Sequence, residues 1–84
     1  MGYFVYILWS EKITKYYVGS TQDVVNRINE HNKGESKFTS KGVPWILVWE
    51  TMLNNRSEAV RLENKIKKRG AKRFLEDKNK SFGR

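Results

Sequence analysis

Apolar residues occupy both alternating faces of the stretch from Tyr3 to Trp9, with Tyr3, Val5, Ile7 and Trp9 on one and Phe4, Tyr6 and Leu8 on the other. A run that is aromatic, β-branched and apolar on both sides predicts a central strand. The polar segment from Ser10 to Lys15 is short enough for a hairpin, and Tyr16-Tyr17-Val18-Gly19 supplies its antiparallel partner. A helical period follows from Gln22 to about Asn32, with Val24, Val25 and Ile28 as its apolar members. Ser20 and Thr21 offer N-caps, and Asp23 stands three after Ser20 as in a capping box. Residues 33–44 are polar, contain Gly34, Gly42 and Pro44, and carry Lys37, Thr39 and Lys41. A connection of about a dozen residues is long for a simple link and points to a functional loop. Trp45 to Thr51 reads as a third strand, and Asn54, Asn55 and Ser57 lead into a second helix from about Arg56 to Arg69, which Gly70 stops or kinks. Ala71 to Asp77 can form one more short helix, whereas Lys78 to Arg84 has too little apolar content to stay folded unaided.

Length and composition narrow this picture. The 84 residues allow one domain, and 38% hydrophobic residues suffice for one small core. With no Cys and a single His, disulfides, thiolate metal sites, cysteine nucleophiles and His-rich zinc sites are excluded, so any metal must be held by oxygen. No run approaches the roughly 18 apolar residues of a membrane span, and Met1-Gly2-Tyr3 lacks a basic leader region, so a soluble, cytoplasmic protein is expected. The 17 Lys and Arg exceed the 9 Asp and Glu, and the excess is local. Residues 65–84 hold nine basic side chains against Glu76 and Asp77, and so carry seven of the eight net positive charges. Lys65, Lys67, Lys68, Arg69, Lys72 and Arg73 form a block suited to a polyanion such as nucleic acid, or else a solvated helix with a basic tail.

The helical stripes carry candidate chemistry. Val24, Arg27, Ile28 and His31 stand at i, i+3, i+4 and i+7, so Arg27 and His31 are stacked neighbours on the apolar side of their helix. A guanidinium there meets an anion, or snorkels along the core edge to water while His31 caps the last turn. Ala59, Leu62, Glu63 and Ile66 repeat the spacing, with Val60 three before Glu63, and place a carboxylate at the core edge. Such a group is costly unless paired, protonated or bound to a cation. Its ordinary partners would be Lys67 at i+4 or Arg27 across the fold. Glu30 and Glu58 read as solvated surface charges, and Trp9, Trp45 and Trp49 as core, or, where partly exposed, as a surface on which a base could stack. Tyr6 lies mid-strand and Tyr17 at the matching height of the next, just before Gly19, where a glycine permits a turn or a close approach.

In this order the residues resemble the GIY-YIG nuclease superfamily, specifically its small single-domain bacterial members, over nearly the whole chain. Phe4-Val5-Tyr6 stands where the family has Gly-Ile-Tyr, and Tyr17-Val18-Gly19 stands for Tyr-Ile-Gly. Arg27 follows Gly19 by eight, as the family's phosphate-binding Arg does, and His31 takes a position that is Tyr or His in relatives. The helix from Ser57 to Lys67 looks like the one in which the second Glu, here Glu63, is the metal ligand. The resemblance implies an α+β fold, a small α/β sandwich with a three-stranded antiparallel sheet and flanking helices, over residues 1–77, followed by a basic tail at 78–84. It implies hydrolysis of DNA phosphodiester bonds at one Mg²⁺ or Mn²⁺ held by Glu63. Arg27 would neutralise the phosphate, Tyr6 or Tyr17 would position and deprotonate the water, and His31 would be the accepting neighbour. DNA would be chosen by shape, such as branches, nicks or flaps, because a lone domain has no separate sequence-reading element. There are two departures. Phe4 replaces the first motif's Gly, and the register of the Asn found after the metal helix in larger repair and restriction members gives Leu75, with Asn79 the nearest Asn. The second departure keeps open a different class of function, a nucleic-acid-binding module with vestigial chemistry.

Overall fold

The computed structural model describes residues 2–35, 37 and 39–82, the last three by backbone alone. Its elements are β1 (Tyr3–Ser10), β2 (Lys15–Thr21), α1 (Val24–Asn32), a 3₁₀ turn (Ser40–Gly42), β3 (Trp45–Leu53), α2 (Arg56–Arg69) and α3 (Ala71–Phe82). The strands form one antiparallel sheet in the order β2-β1-β3, which places the doubly apolar strand in the centre. Val5 and Ile7 pack with Val18, Ala59, Ile66 and Ala71 beneath α2 and α3. Tyr6 and Leu8 pack with Trp45 on the other face, where Ile28 of α1 joins them. The result is the expected sandwich, with helical layers on both faces of a three-stranded sheet.

A β-bulge divides β3 between the two layers. Ile7 pairs with Trp49 but Leu8 pairs with Leu47, so Val48 is the extra residue. Side chains otherwise alternate strictly along a strand, and the bulge inverts that alternation midway. Trp45 and Leu47 therefore face the α1 side, and Trp49 and Leu53 face α2 and α3.

The helix ends differ in detail from the sequence reading. Asp23, not Ser20 or Thr21, caps α1, its carboxylate accepting the Asn26 N–H at 3.1 Å. Asn55 caps α2 by accepting the Glu58 N–H at 2.9 Å, while Glu58 accepts the Asn54 N–H at 3.2 Å. Glu58 is thus part of a helix cap and not a free surface charge. Gly70 takes φ 95°, a left-handed value that suits glycine, and ends α2. Val25 and Val60, both apolar, are exposed at 71% and 39%, so Val60 does not flank Glu63 from the core side.

The basic tail expected at 78–84 is a correction. Helix α3 continues past Asp77 to Phe82, and Gly83 and Arg84 lie outside the described residues. Phe74 and Leu75 pack on the α2 core, and Phe74 meets Trp49 edge-on at 4.9 Å between ring centroids. Arg69 donates twice to Asp77, at 3.0 and 3.1 Å, tying the two helices together. Apolar anchors near its start thus carry the helix through a segment too polar to fold alone. Among the described residues no helix is long and apolar enough to cross a membrane.

Ile66 is fully buried at the centre of the α2 face. Ile66→Ala is expected to lower stability by about 2–5 kcal/mol in urea denaturation. Val60→Ala, one and a half turns earlier on the exposed side, is expected to stay within about 0.5 kcal/mol.

Candidate active site

The site begins with one register pair. Tyr6 of β1 lies opposite Gly19 of β2, and its ring extends across that glycine. A Cβ on Gly19 would come within 2.6 Å of the Tyr6 hydroxyl and 2.8 Å of its Cζ, so the missing side chain is the space the phenol occupies. Tyr17 is two residues earlier on the same face, with ring centroids 6.3 Å apart. Tyr6 is 2% exposed and Tyr17 is half-buried.

Helix α1 brings His31 onto this pair. It is 3% exposed, lies edge-on to Tyr17 at 4.9 Å, and sets Nε2 at 3.3 Å from the Tyr6 hydroxyl. On its other side Nδ1 is 2.7 Å from the hydroxyl of buried Thr39. The chain Tyr6–His31–Thr39 runs in one direction for one imidazole tautomer and in the reverse for the other. The 33–44 loop earns its length by delivering Thr39. The loop is fastened by Trp45, whose indole N–H donates to the Thr39 carbonyl at 2.7 Å, and by Ser10, which donates to the Gly42 carbonyl at 2.7 Å. Asn32 then clamps the backbone of Trp45, accepting its N–H at 2.6 Å and donating to its carbonyl at 3.1 Å.

These groups titrate abnormally for physical reasons. Burial raises the Tyr6 phenol well above its ordinary value, and Tyr17, Glu63 and Glu30 add to the rise, while Arg27 opposes it. Burial lowers His31, Arg27 lowers it further, and Glu30 opposes both. Tyr6 therefore stays a phenol, and His31 is a neutral imidazole at neutral pH.

The charged candidates sit where the sheet edge opens. Arg27 does not point into the core. Its side chain is 46% exposed and lies 3.4 Å from Glu30, which thereby has a partner the sequence did not suggest. An exposed pair of this kind contributes at most about 1 kcal/mol, so the guanidinium is easily released. It borders a recess of about 420 Å³ together with Ser20, Thr21 and Arg56. Arg56 opens α2, where the positive end of the helix dipole disfavours a cation.

Glu63 approaches from the opposite sheet face. Its side chain is 18% exposed, and it accepts from Ser20 at 2.8 Å through Oε1 and from Lys67 at 2.7 Å through Oε2. Lys67, not Arg27, is the partner. Of the five candidates, Tyr6, Tyr17 and His31 lie against one another, while Arg27 and Glu63 meet Ser20 from opposite faces, Arg27 across the recess it shares with that serine and Glu63 through the hydrogen bond.

The basic block is less uniform. Lys67 is committed to Glu63 and Arg69 to Asp77, whereas Lys65, Lys68, Lys72 and Arg73 are exposed and form no ion pair among the described residues. Leu75, in the register of the family's Asn, is half-buried against the core, and Asn79 lies one turn further along α3. Sequence reasoning gave no role to Thr39, Ser20 or Arg56. Ser20 was legible only as a cap, and Thr39 needed the fold of its loop.

A family model for the GIY-YIG catalytic domain matches residues 2–79. A UPF0213 protein of Staphylococcus haemolyticus is 39% identical over 66 residues, which span 77% of this chain and 79% of that protein. One from Halobacterium salinarum is 42% identical over 53 residues, spanning 62% of this chain and 69% of its own. The solution NMR structure of the UPF0213 protein BH0048 from Bacillus halodurans is 31% identical and superposes with a TM-score of 0.55, covering 90% of this chain and 81% of that one. Extent of match, fold and the paired tyrosines beside Gly19 agree, and the chain belongs to the GIY-YIG domain family.

Proposed function

We propose that the protein is a divalent-metal-dependent endonuclease that hydrolyses DNA phosphodiester bonds and selects DNA by structure, not sequence. The observation that supports this reading is the grouping around Gly19 and Ser20. The Tyr6 hydroxyl lies over Gly19 with His31 bonded to it, and Ser20 donates to Glu63 of α2 while lining one recess with Arg27 of α1. A cation and an anion bordering one stretch of strand suit a phosphate that must be both neutralised and attacked.

Roles follow from exposure. Arg27, released from Glu30, neutralises the phosphate, and Arg56 faces the same recess. Tyr6, sealed from water and held protonated, positions its neighbours and is not the base. Tyr17 is the tyrosine that water reaches, so it orients the attacking water, while neutral His31 keeps its ring in place. The donor set around Glu63 fits Mg²⁺ or Mn²⁺, because these ions need only one or two carboxylates beside waters and substrate oxygens. Ser20 adds a hydroxyl, and the Lys67 ammonium shows that the carboxylate already accepts a cation. When bound, the ion supplies Lewis-acid stabilisation of the leaving oxygen. Phosphate contacts from Lys65, Lys68, Lys72 and Arg73 would give affinity without reading bases.

A binding module without chemistry is the second reading, favoured by half-buried Leu75 packing against the core where larger relatives have an Asn. Nicking of supercoiled plasmid at low salt separates the two. The nuclease reading expects Mg²⁺- or Mn²⁺-dependent nicking that a chelator abolishes and that Glu63→Gln and Arg27→Ala each reduce by about 100-fold or more. Salt-dependent DNA binding without nicking, unchanged in Glu63→Gln, would establish the module instead.

Gly19→Ala tests the geometry itself. A methyl group placed 2.6 Å from the Tyr6 hydroxyl must displace the phenol. Nicking is expected to fall at least about tenfold, with a stability loss of about 1–3 kcal/mol from overpacking. Wild-type activity in this variant would show that the position of Tyr6 is immaterial.

His31 gives a pH signature. Because its pKa in the fold lies below 6.5, the unfolded chain takes up the proton first as pH falls. The contribution of neutral His31 is whole above that value and is lost progressively below it. Urea midpoints measured from about pH 7.5 to 5.5 should therefore decline more steeply for the wild type than for His31→Gln.

A further inference from the structure

Strand β2 is an edge strand, and beyond the candidate site two adjoining recesses run along it. The first, about 560 Å³, lies between Tyr16, Tyr17, Lys67 and Lys72, and the second, about 450 Å³, between Trp9, Lys15, Tyr16 and Lys72. They share Tyr16 and Lys72 and so form one groove, and neither is lined by an acidic residue. The groove starts at the site already described, since Lys67 contacts Glu63 and Tyr17 contacts His31. Its floor is aromatic. Tyr16 is 37% exposed and meets Trp9 at 4.7 Å between ring centroids, while the Trp9 indole is fixed by a 3.0 Å hydrogen bond to Glu11.

Cross-strand packing explains why the two rings touch, because Trp9 and Tyr16 are register partners. It does not explain why Lys15 and Lys72 flank them where no carboxylate lines either recess, with Lys67 already paired with Glu63 at the near end. An exposed aromatic face flanked by cations matches the chemistry of unpaired nucleotides, whose bases stack and whose phosphates lie within reach of lysines. A duplex does not fit this description, because its base faces are already stacked on one another.

We infer that the β2 edge is a track for an unpaired DNA segment adjoining the scissile phosphate, with a base stacked on Tyr16 and phosphates held by Lys15 and Lys72. The inference rests on the nuclease reading for where the segment leads, and it supplies the kind of DNA structure that reading left unnamed.

The test measures binding with chelator present, so that no cleavage is needed. Fluorescence anisotropy of a labelled single-stranded DNA oligonucleotide is compared with the duplex of the same sequence and with an RNA of that sequence. Tyr16→Leu keeps apolar bulk on the hairpin but removes the π-face, and Tyr16→Phe restores it; circular dichroism confirms that both fold. Tyr16→Leu is expected to weaken single-stranded DNA binding at least about fivefold and leave duplex binding unchanged, with Tyr16→Phe close to wild type. Lys15→Ala and Lys72→Ala should each lower the salt slope for the single strand by about 0.7. Equal affinity of Tyr16→Leu and wild type for the single strand, equal losses for single strand and duplex, or binding confined to RNA would each overturn the inference. Plasmid nicking without any effect of Tyr16→Leu on single-strand binding removes the track but keeps the nuclease. Tyr16-dependent binding by a protein that nicks nothing keeps the track and removes the nuclease.

Discussion

A phenol hydroxyl buried against the middle of a sheet is the constraint around which the molecule is arranged. Left without a partner, the Tyr6 hydroxyl would cost about 1–3 kcal/mol, and His31 supplies the partner. A buried imidazole has two nitrogens to satisfy, so His31 requires Thr39 as well. Thr39 is held in turn because Trp45 and the Gly42 N–H both donate to its carbonyl, while Asn32 grips Trp45 and Ser10 grips Gly42. One hydroxyl thus fixes the end of α1, the course of the long loop and the start of β3. No buried side-chain nitrogen or oxygen among the described residues is left unsatisfied, which is what such a closed network requires.

The same hydroxyl depends on register. A slip of one residue between β1 and β2 would set Tyr6 against Val18 or Ser20, whose side chains fill the space that Gly19 leaves open. The irregularity the fold needs is placed elsewhere. The bulge at Val48 lies in the β1–β3 pairing and lets a nine-residue strand feed both helical layers, while the β1–β2 register runs unbroken from Phe4 to Ser10. Tyr6 then lies over Gly19 on the α1 face, and Ser20, the next residue of β2, bonds Glu63 of α2 on the other. Neither helix has to leave its own layer for this.

Much of this was legible in the residues. The doubly apolar Tyr3–Trp9 run identified the central strand, and the α2 stripe gave a helix whose ends were right to the residue. The resemblance singled out Tyr6, Tyr17, Arg27, His31 and Glu63, of which Tyr6, Tyr17 and His31 lie in contact and Glu63 is joined to the strand through Ser20. Helical spacing placed His31 on the buried side and left Arg27 between an anion and water; its side chain runs out to water and meets Glu30 there, because a period fixes a direction for Cβ and not for a long flexible chain. Partners distant in sequence were not legible. Ser20 and Glu63 are 43 residues apart, and a serine beside a helix start looks like a cap until the sheet is built. The extension of α3 beyond Asp77 was missed for a related reason. Local composition describes what a segment does alone, and Phe74, Leu75 and the Arg69–Asp77 pair supply what it lacks.

The two sheet edges show how the fold keeps one of them available. An open edge presents unpaired backbone groups and invites pairing with another chain. The β3 edge carries exposed Ile46, Val48 and Met52, an apolar set that would favour such pairing if the strand were regular. The bulge at Val48 breaks its hydrogen-bonding pattern, which protects the edge without adding charge. The β2 edge is regular, because a bulge there would shift Tyr6 from Gly19. It therefore needs the other form of protection, and it has Lys15 on the strand with Lys67 and Lys72 of the helical layer beside it. Lysines that repel another strand attract phosphate. The requirement for an unbroken register at Tyr6 and the basic groove along the same strand thus have one physical origin.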